Sequence, residues 1–142
     1  MLLFKKGMLY TKDVRFALPD GFYIQVDGIF YDSGISAWSL DRRTHIIWQA
    51  TDSSVGVEEG LMDLFSPDCG LQPLSEIQPI QVNNLCGHQA FAKGYYEARF
   101  ALEGNRIFRF IVETKDQDIF EAVSAPEIIA AFNKIELGDW AS

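Results

Sequence analysis

The sequence predicts an α+β fold: a mainly antiparallel β-sheet, with one helix in mid-chain and one amphipathic helix near the C-terminus packed on it. Three observations carry this. Period-two alternation recurs in short runs separated by turn residues, as in strands joined into hairpins. Two stretches instead set apolar residues at helical spacing behind capping residues. The element order, strands then helix then strands then helix, lacks the regular βαβ alternation of a parallel sheet.

Residues 1–12 read as an edge strand or a loosely held arm, locally basic through Lys5, Lys6 and Lys12. Val14-Arg15-Phe16-Ala17-Leu18 alternates and meets the turn Pro19-Asp20-Gly21. A short strand follows over 22–26, closed by a second turn signal at Asp27-Gly28. Residues 29–31 and 36–40 are strand pieces split by Asp32-Ser33-Gly34. In the next strand, 45–51, Ile46, Trp48 and Ala50 share one side and His45, Ile47 and Gln49 the other. With Arg42-Arg43-Thr44 as its loop, Trp38 faces Trp48, an aromatic pair worth about 0.5–1.5 kcal/mol beyond burial.

Asp52-Ser53-Ser54 caps a helix predicted over 55–66, with Val57, Leu61, Leu64 and Phe65 as the buried stripe. Glu58, Glu59 and Asp63 fall toward its positive end. Pro67-Asp68-Cys69-Gly70 stops it, 71–76 is loop, and Ile80-Gln81-Val82 is a short strand before the turn Asn83-Asn84.

Residues 87–137 are the most strongly patterned. Lys93-Gly94 closes a hairpin that sets Phe91 beside Tyr96 and His88 beside Arg99. For the next hairpin, a two-residue turn at Gly104-Asn105 mixes the faces. A three-residue loop with Asn105 in the left-handed position pairs Phe100 with Phe108, Ala98 with Phe110 and Tyr96 with Val112. The opposite face mixes Ile107 and Ile111 with charges, so something partly covers it too. Ser124-Ala125-Pro126-Glu127 has capping-box spacing with proline in the first turn. Ile128, Ile129, Phe132 and Ile135 form the stripe of the helix behind it, and Gly138 is its stop.

With 142 residues, nearly half of them apolar, the chain suits one domain spanning 1–142. No run is long enough to cross a bilayer and the opening residues are too few for a signal peptide, so a cytoplasmic protein is expected; an exported mature chain looks the same. The net charge of −8 argues against a nucleic-acid surface. Between residues 44 and 92 there is no Lys or Arg, while Asp52, Glu58, Glu59, Asp63, Asp68 and Glu76 all fall there. Such a face is either solvated for solubility or a docking surface, with Glu58, Glu59 and Asp63 at its centre, for a basic protein partner. Cys69 and Cys86 match no zinc or thiol-redox spacing and are expected as free, buried or half-buried thiols. No cofactor fingerprint is present, because Gly94 and Gly104 are turn glycines.

Three passages resemble the PsbP-like fold, shared by the extrinsic photosystem II subunit, the Ran-binding import factor and small bacterial proteins. They are Phe16-Ala17-Leu18-Pro19-Asp20-Gly21-Phe22, Gly104-Asn105-Arg106-Ile107-Phe108-Arg109-Phe110-Ile111-Val112 and Ile128-Ile129-Ala130-Ala131-Phe132-Asn133-Lys134-Ile135. The resemblance implies an α/β/α sandwich and non-enzymatic accessory or docking roles. It transfers no catalytic set.

The candidate site is His88, Glu97, Arg99, Arg109 and Glu113. Arg99 and Arg109 face each other, and two guanidinium groups repel unless an anion lies between them. Glu97 and Glu113 supply it in a plain surface network; otherwise the pair clamps an external carboxylate or phosphate. Cys86 and His88 point the same way on one strand, but a thiol nucleophile also needs an oxyanion hole, and none is evident. His45 reads as a strand-end hydrogen-bonding residue. The leading functional reading is a non-catalytic protein-interaction domain. The alternatives are a small-ligand or lipid-binding domain lined by Phe22, Tyr23, Phe30, Tyr31, Trp38, Trp48 and Tyr95, and a hydrolase, disfavoured by having only two histidines and no triad.

Overall fold

In the computed structural model the chain is described over residues 3–5, 8–10, 13–30, 34–115 and 117–137, with the side chains of 3–5 and 25–30 left out. In order, the elements are β1 Leu3–Lys5, β2 Met8–Tyr10, β3 Val14–Ala17, β4 Phe22–Phe30, β5 Gly34–Ser39 and β6 Thr44–Asp52. Helix α1 Val57–Asp63 leads to β7 Gln78–Val82, β8 Leu85–Ala92, β9 Tyr95–Ala101 and β10 Arg106–Thr114. Helices α2 Ile119–Val123 and α3 Pro126–Phe132 and the short β11 Glu136–Leu137 complete it. The fold is α+β with antiparallel sheets, as predicted.

Seven strands form the main sheet in the order β4-β5-β6-β10-β9-β8-β7. Two meanders, β4–β6 and β7–β10, are joined by the antiparallel pairing of β6 with β10. Alternation in each strand sends one set of side chains to a dry aromatic face. There Trp48, Phe100, Phe108, Phe110 and Tyr96 are buried. A four-stranded sheet, β1-β2-β3-β11, lays Leu9, Val14 and Phe16 on that face. Phe16 stacks on Trp48 with ring centroids 5.2 Å apart. Helix α3 adds Phe132 against Phe110 at 5.4 Å, and α2 stacks Phe120 on Phe91 at 4.6 Å. Arg15 of β3 is bonded to Glu136 of β11. The turn after β7 clasps the chain end: Asn83 Nδ2 donates to the carbonyls of Asn133 and Ile135, while Asn84 exchanges two bonds with the backbone of Leu137.

Helix α1 covers part of the opposite face. It lies over β8 and β9, and a Cβ added at Gly60 would overlap Arg99 Nη1. At the outer edge, β7 presents Pro79 opposite His88. Proline donates no hydrogen bond, so it suits an edge strand and blunts it against further strand pairing.

The 93–94 turn and the register it sets are as expected, and so are the pairings Phe100–Phe108, Ala98–Phe110 and Tyr96–Val112. The left-handed residue of the second hairpin is Gly104, φ 71°, and not Asn105, because glycine takes that conformation with no Cβ penalty. Trp38 does not face Trp48. It pairs with His45, and Ile35 pairs with Trp48. The reason is the turn: Ser39 Oγ donates to Asp41, whose carboxylate also accepts from the Arg43 amide, so the strands part at Ser39. Asp27-Gly28 is no turn but lies inside β4, where the register with β5 shifts between Ile24 and Ile29.

Helix α1 begins at Val57 behind Gly56 with no side-chain cap, since Ser53 folds its hydroxyl onto Val55 instead. The expected capping box at Ser124 is absent. Ser124 ends α2, its hydroxyl donating to the Phe120 carbonyl, and Ala125 precedes α3 without a side-chain bond. Helix α2 itself, capped by Asp118 accepting from the amides of Phe120 and Glu121, was not foreshadowed by periodicity because it is five residues long. Ile129 is 46% exposed and Ile135 lies past the helix, so the buried stripe is Ile128, Ala131 and part of Phe132. Both cysteines are exposed, not buried. Gly138 lies outside the described residues.

Candidate functional site

Register brings three of the five candidate residues together. Arg99 and Arg109 are directly paired across β9 and β10, and Glu97 is two residues from Arg99 on the same face. Its carboxylate lies between the guanidinium groups: Arg99 Nε donates to Oε2 at 2.6 Å, Arg109 Nε to Oε2 at 2.8 Å and Arg109 Nη2 to Oε1 at 2.9 Å. Tyr95 completes the set, its hydroxyl donating to Oε1 at 2.6 Å. The Glu97 side chain is fully buried and that of Arg99 is 9% exposed. The expected surface network is therefore an interior one, sealed on the Arg99 side by α1.

Burial acts to raise the Glu97 pKa, but the hydrogen bonds from Arg109 and Arg99 outweigh it and hold the carboxyl below the usual range. For Tyr95, burial and then the Glu97 charge push the phenol upward, so it stays a donor. Arg109 is held protonated by its bond to Glu97. The internal carboxylate occupies the space between the arginines that an external anion would need.

The other two residues go elsewhere. Glu113 accepts from His45 Nδ1 at 3.2 Å, and His45 stacks on Trp38 with centroids 4.4 Å apart. His88 turns to α1, with Nε2 3.5 Å from Glu58. Its buried Nδ1 has no hydrogen-bond partner among the described residues. Neither imidazole nitrogen therefore engages the Cys86 thiol, and the geometry makes no thiol–imidazole dyad.

Beside His88 opens a groove of about 760 Å³ between the start of α1 and the β7–β8 hairpin. Val57, Pro79, Ile80 and Ala101 give it apolar walls, Cys86 and His88 stand in it, and Glu58 and Glu59 line its α1 side. Glu58, Glu59 and Asp63 are all exposed. None of the aromatics expected to line a ligand pocket is in its wall. Trp48 is core, Tyr95 belongs to the Glu97 network, Trp38 lines a separate hollow, and the Phe30 side chain and Tyr31 lie outside what is described. Sequence reasoning named the residues on both sides of the groove separately. No period or spacing in a single chain could show that α1 sets Glu58 against His88.

No protein-family model and no curated protein matches the chain. Among solved structures, a crystal structure of a protein from Bacteroides thetaiotaomicron is similar over 91% of this chain, with 11% identity and a TM-score of 0.51. That likeness shows the fold alone. The match covers 46% of the neighbour, so this chain spans under half its length. Among the described residues no helix is long and apolar enough to cross a membrane.

Proposed function

We propose that the chain is a non-catalytic interaction domain whose groove between α1 and the β7–β8 hairpin takes a basic, partly apolar segment of a protein partner. One observation carries the reading: apolar walls at Val57, Pro79 and Ile80 are flanked by the exposed carboxylates Glu58 and Glu59. The sequence around them, residues 44–92, contains no Lys or Arg to neutralise that edge. In such a groove the apolar walls supply affinity, while the carboxylates select charge and speed encounter. The PsbP-like resemblance, with the accessory roles it implies, and a cytoplasmic location belong to the same proposal. Two exposed free thiols suit a reducing compartment.

The test is binding of an alternating Lys-Leu octapeptide and its Glu-Leu counterpart, followed by amide chemical shifts and calorimetry. The Lys-Leu peptide should shift resonances of 56–59, 79–81 and 86–88, and weaken about two- to thirtyfold in the Glu58→Gln/Glu59→Gln protein, since exposed ion pairs are worth about 0.2–1 kcal/mol each. Equal binding of both peptides, or shifts elsewhere, would refute the reading. Saturable binding of an uncharged apolar molecule, unaffected by the double variant, would favour a small-ligand site instead.

A further inference from the structure

We infer that His88 puts the groove beside α1 under proton control, so that a basic segment is held near neutral pH and released in mild acid. The inference rests on the reading of that groove as a site for a basic partner. Its ground is the make-up of the wall. Among the described residues that line the groove there is no Lys or Arg, so His88 is the one side chain there able to take a positive charge. The other ionisable groups of the wall, Glu58, Glu59 and Cys86, can carry only a negative one.

Strand pairing fixes where the ring stands. His88 lies between Pro79 of β7 and Arg99 of β9. Its Nδ1 is buried without a hydrogen-bond partner among the described residues, and its Nε2 is 3.5 Å from a carboxylate oxygen of Glu58. The two side chains are 29% and 61% exposed, so a docked segment can reach both. From α1 the ring meets Glu58, with Glu59 beside it in the wall. From β9 it meets Arg99, whose guanidinium donates to Glu97 and, like any guanidinium, keeps its charge across the working pH range. Strand β7, Gln78–Val82, carries no titratable side chain. On the ring's own strand, Cys86 shares the groove. Histidine is the side chain whose charge ordinarily changes between pH 5.5 and 7.5.

Neutral imidazole leaves Glu58 and Glu59 to the lysines or arginines of the partner. Protonation sets a cation against Glu58, which cancels one of the two carboxylates, and it puts a like charge in the path of the incoming basic side chain. Both changes weaken binding. The coupling is reciprocal: a bound basic segment disfavours the imidazolium, so binding at intermediate pH releases part of a proton from His88. The apolar walls at Val57, Pro79 and Ile80 do not titrate, so their contribution is the same at every pH.

The test is calorimetric titration of the full chain with the alternating Lys-Leu octapeptide at pH 5.5, 6.5 and 7.5. Affinity should rise about two- to thirtyfold from the lowest pH to the highest, because acid removes one attraction and adds one repulsion, each of the size of an exposed ion pair. His88→Gln should bind with one affinity at all three values, and Glu58→Gln should show a smaller rise than wild type. His45→Gln, at the other histidine of the chain, and Cys86→Ser should both keep the rise. In the free protein the amides of 57–60 should follow the His88 ring through its titration, and should not move over this range in His88→Gln. Binding that is flat in pH, or a rise that survives undiminished in His88→Gln, would overturn the inference and leave the groove reading standing. No binding at any pH would overturn both.

Discussion

Replacing Glu97 by Gln removes one negative charge and almost nothing else. The carboxylate accepts four hydrogen bonds, three from guanidinium groups and one from Tyr95. An amide oxygen can keep two of them, while the amide nitrogen turns a donor toward donors. Arg99 and Arg109, with side chains 9% and 23% exposed, then face each other without their counterion. Removing one partner of a buried pair typically destabilises by about 3–5 kcal/mol, and the partial exposure of Arg109 places the expectation near about 3 kcal/mol. Urea unfolding should show a lower midpoint with an unchanged slope. The loss should persist at about 1 M salt, where a surface network would be screened. The pH dependence has a definite sign. Glu97 titrates below its unfolded value of about 4.3, so its contribution is complete above that pH and disappears as pH falls through the depressed folded value. The gap between wild type and variant should therefore close in acid. A loss under about 1 kcal/mol at neutral pH, the worth of an exposed pair, would refute the buried-network account.

Gly60→Ala should fall short of the stabilisation of about 1 kcal/mol that alanine brings to a helix interior, because the added Cβ meets the tip of the Arg99 guanidinium, which must give way; a variant stabilised by that full amount in thermal unfolding would contradict the placement of α1. Asp118→Ala should remove about 1 kcal/mol through loss of the α2 cap, and Ser124→Ala less, so equal effects in chemical denaturation would mean the capping box at Ser124 is real. Both Cys69 and Cys86 should react with a thiol reagent in the folded protein, and a second thiol that appears only in denaturant would count against their exposure.

The register of β8, β9 and β10 is legible in the sequence because one face is dry. A slip of one residue would expose Phe100, Phe108 and Phe110 together, and only one loop length avoids it. From that register the juxtaposition of Arg99, Arg109 and Glu97 follows. The β5–β6 register is not legible in the same way. It is decided by hydrogen bonds of Ser39 and Asp41, and a loop drawn from hydrophobic alternation alone starts two residues too late, at Arg42 and not at Leu40. Capping went astray at Ser124 for a related reason: one hydroxyl can serve the helix behind it or the helix ahead, and only the position of α2 decides. The groove depends on where α1 lands after β6, a tertiary outcome with no local signal.

The asparagine clasp after β7 has a consequence for the order of assembly. The main-sheet meanders close through neighbouring strands, whereas the Arg15–Glu136 contact spans 121 residues and the Asn84–Leu137 bonds span 53. Made first, the clasp delivers β11 to the hairpin, and what remains is to bring Val14 to the region of Asn84 and not to a free chain end. The entropy difference between closing the two spans is modest, about 0.7 kcal/mol, but local contacts form sooner. Docking of β3 onto the main sheet is therefore expected to come late, and in any state in which β3 is undocked Phe16 leaves Trp48 and Phe108 uncovered, which is where such a state would be exposed to aggregation.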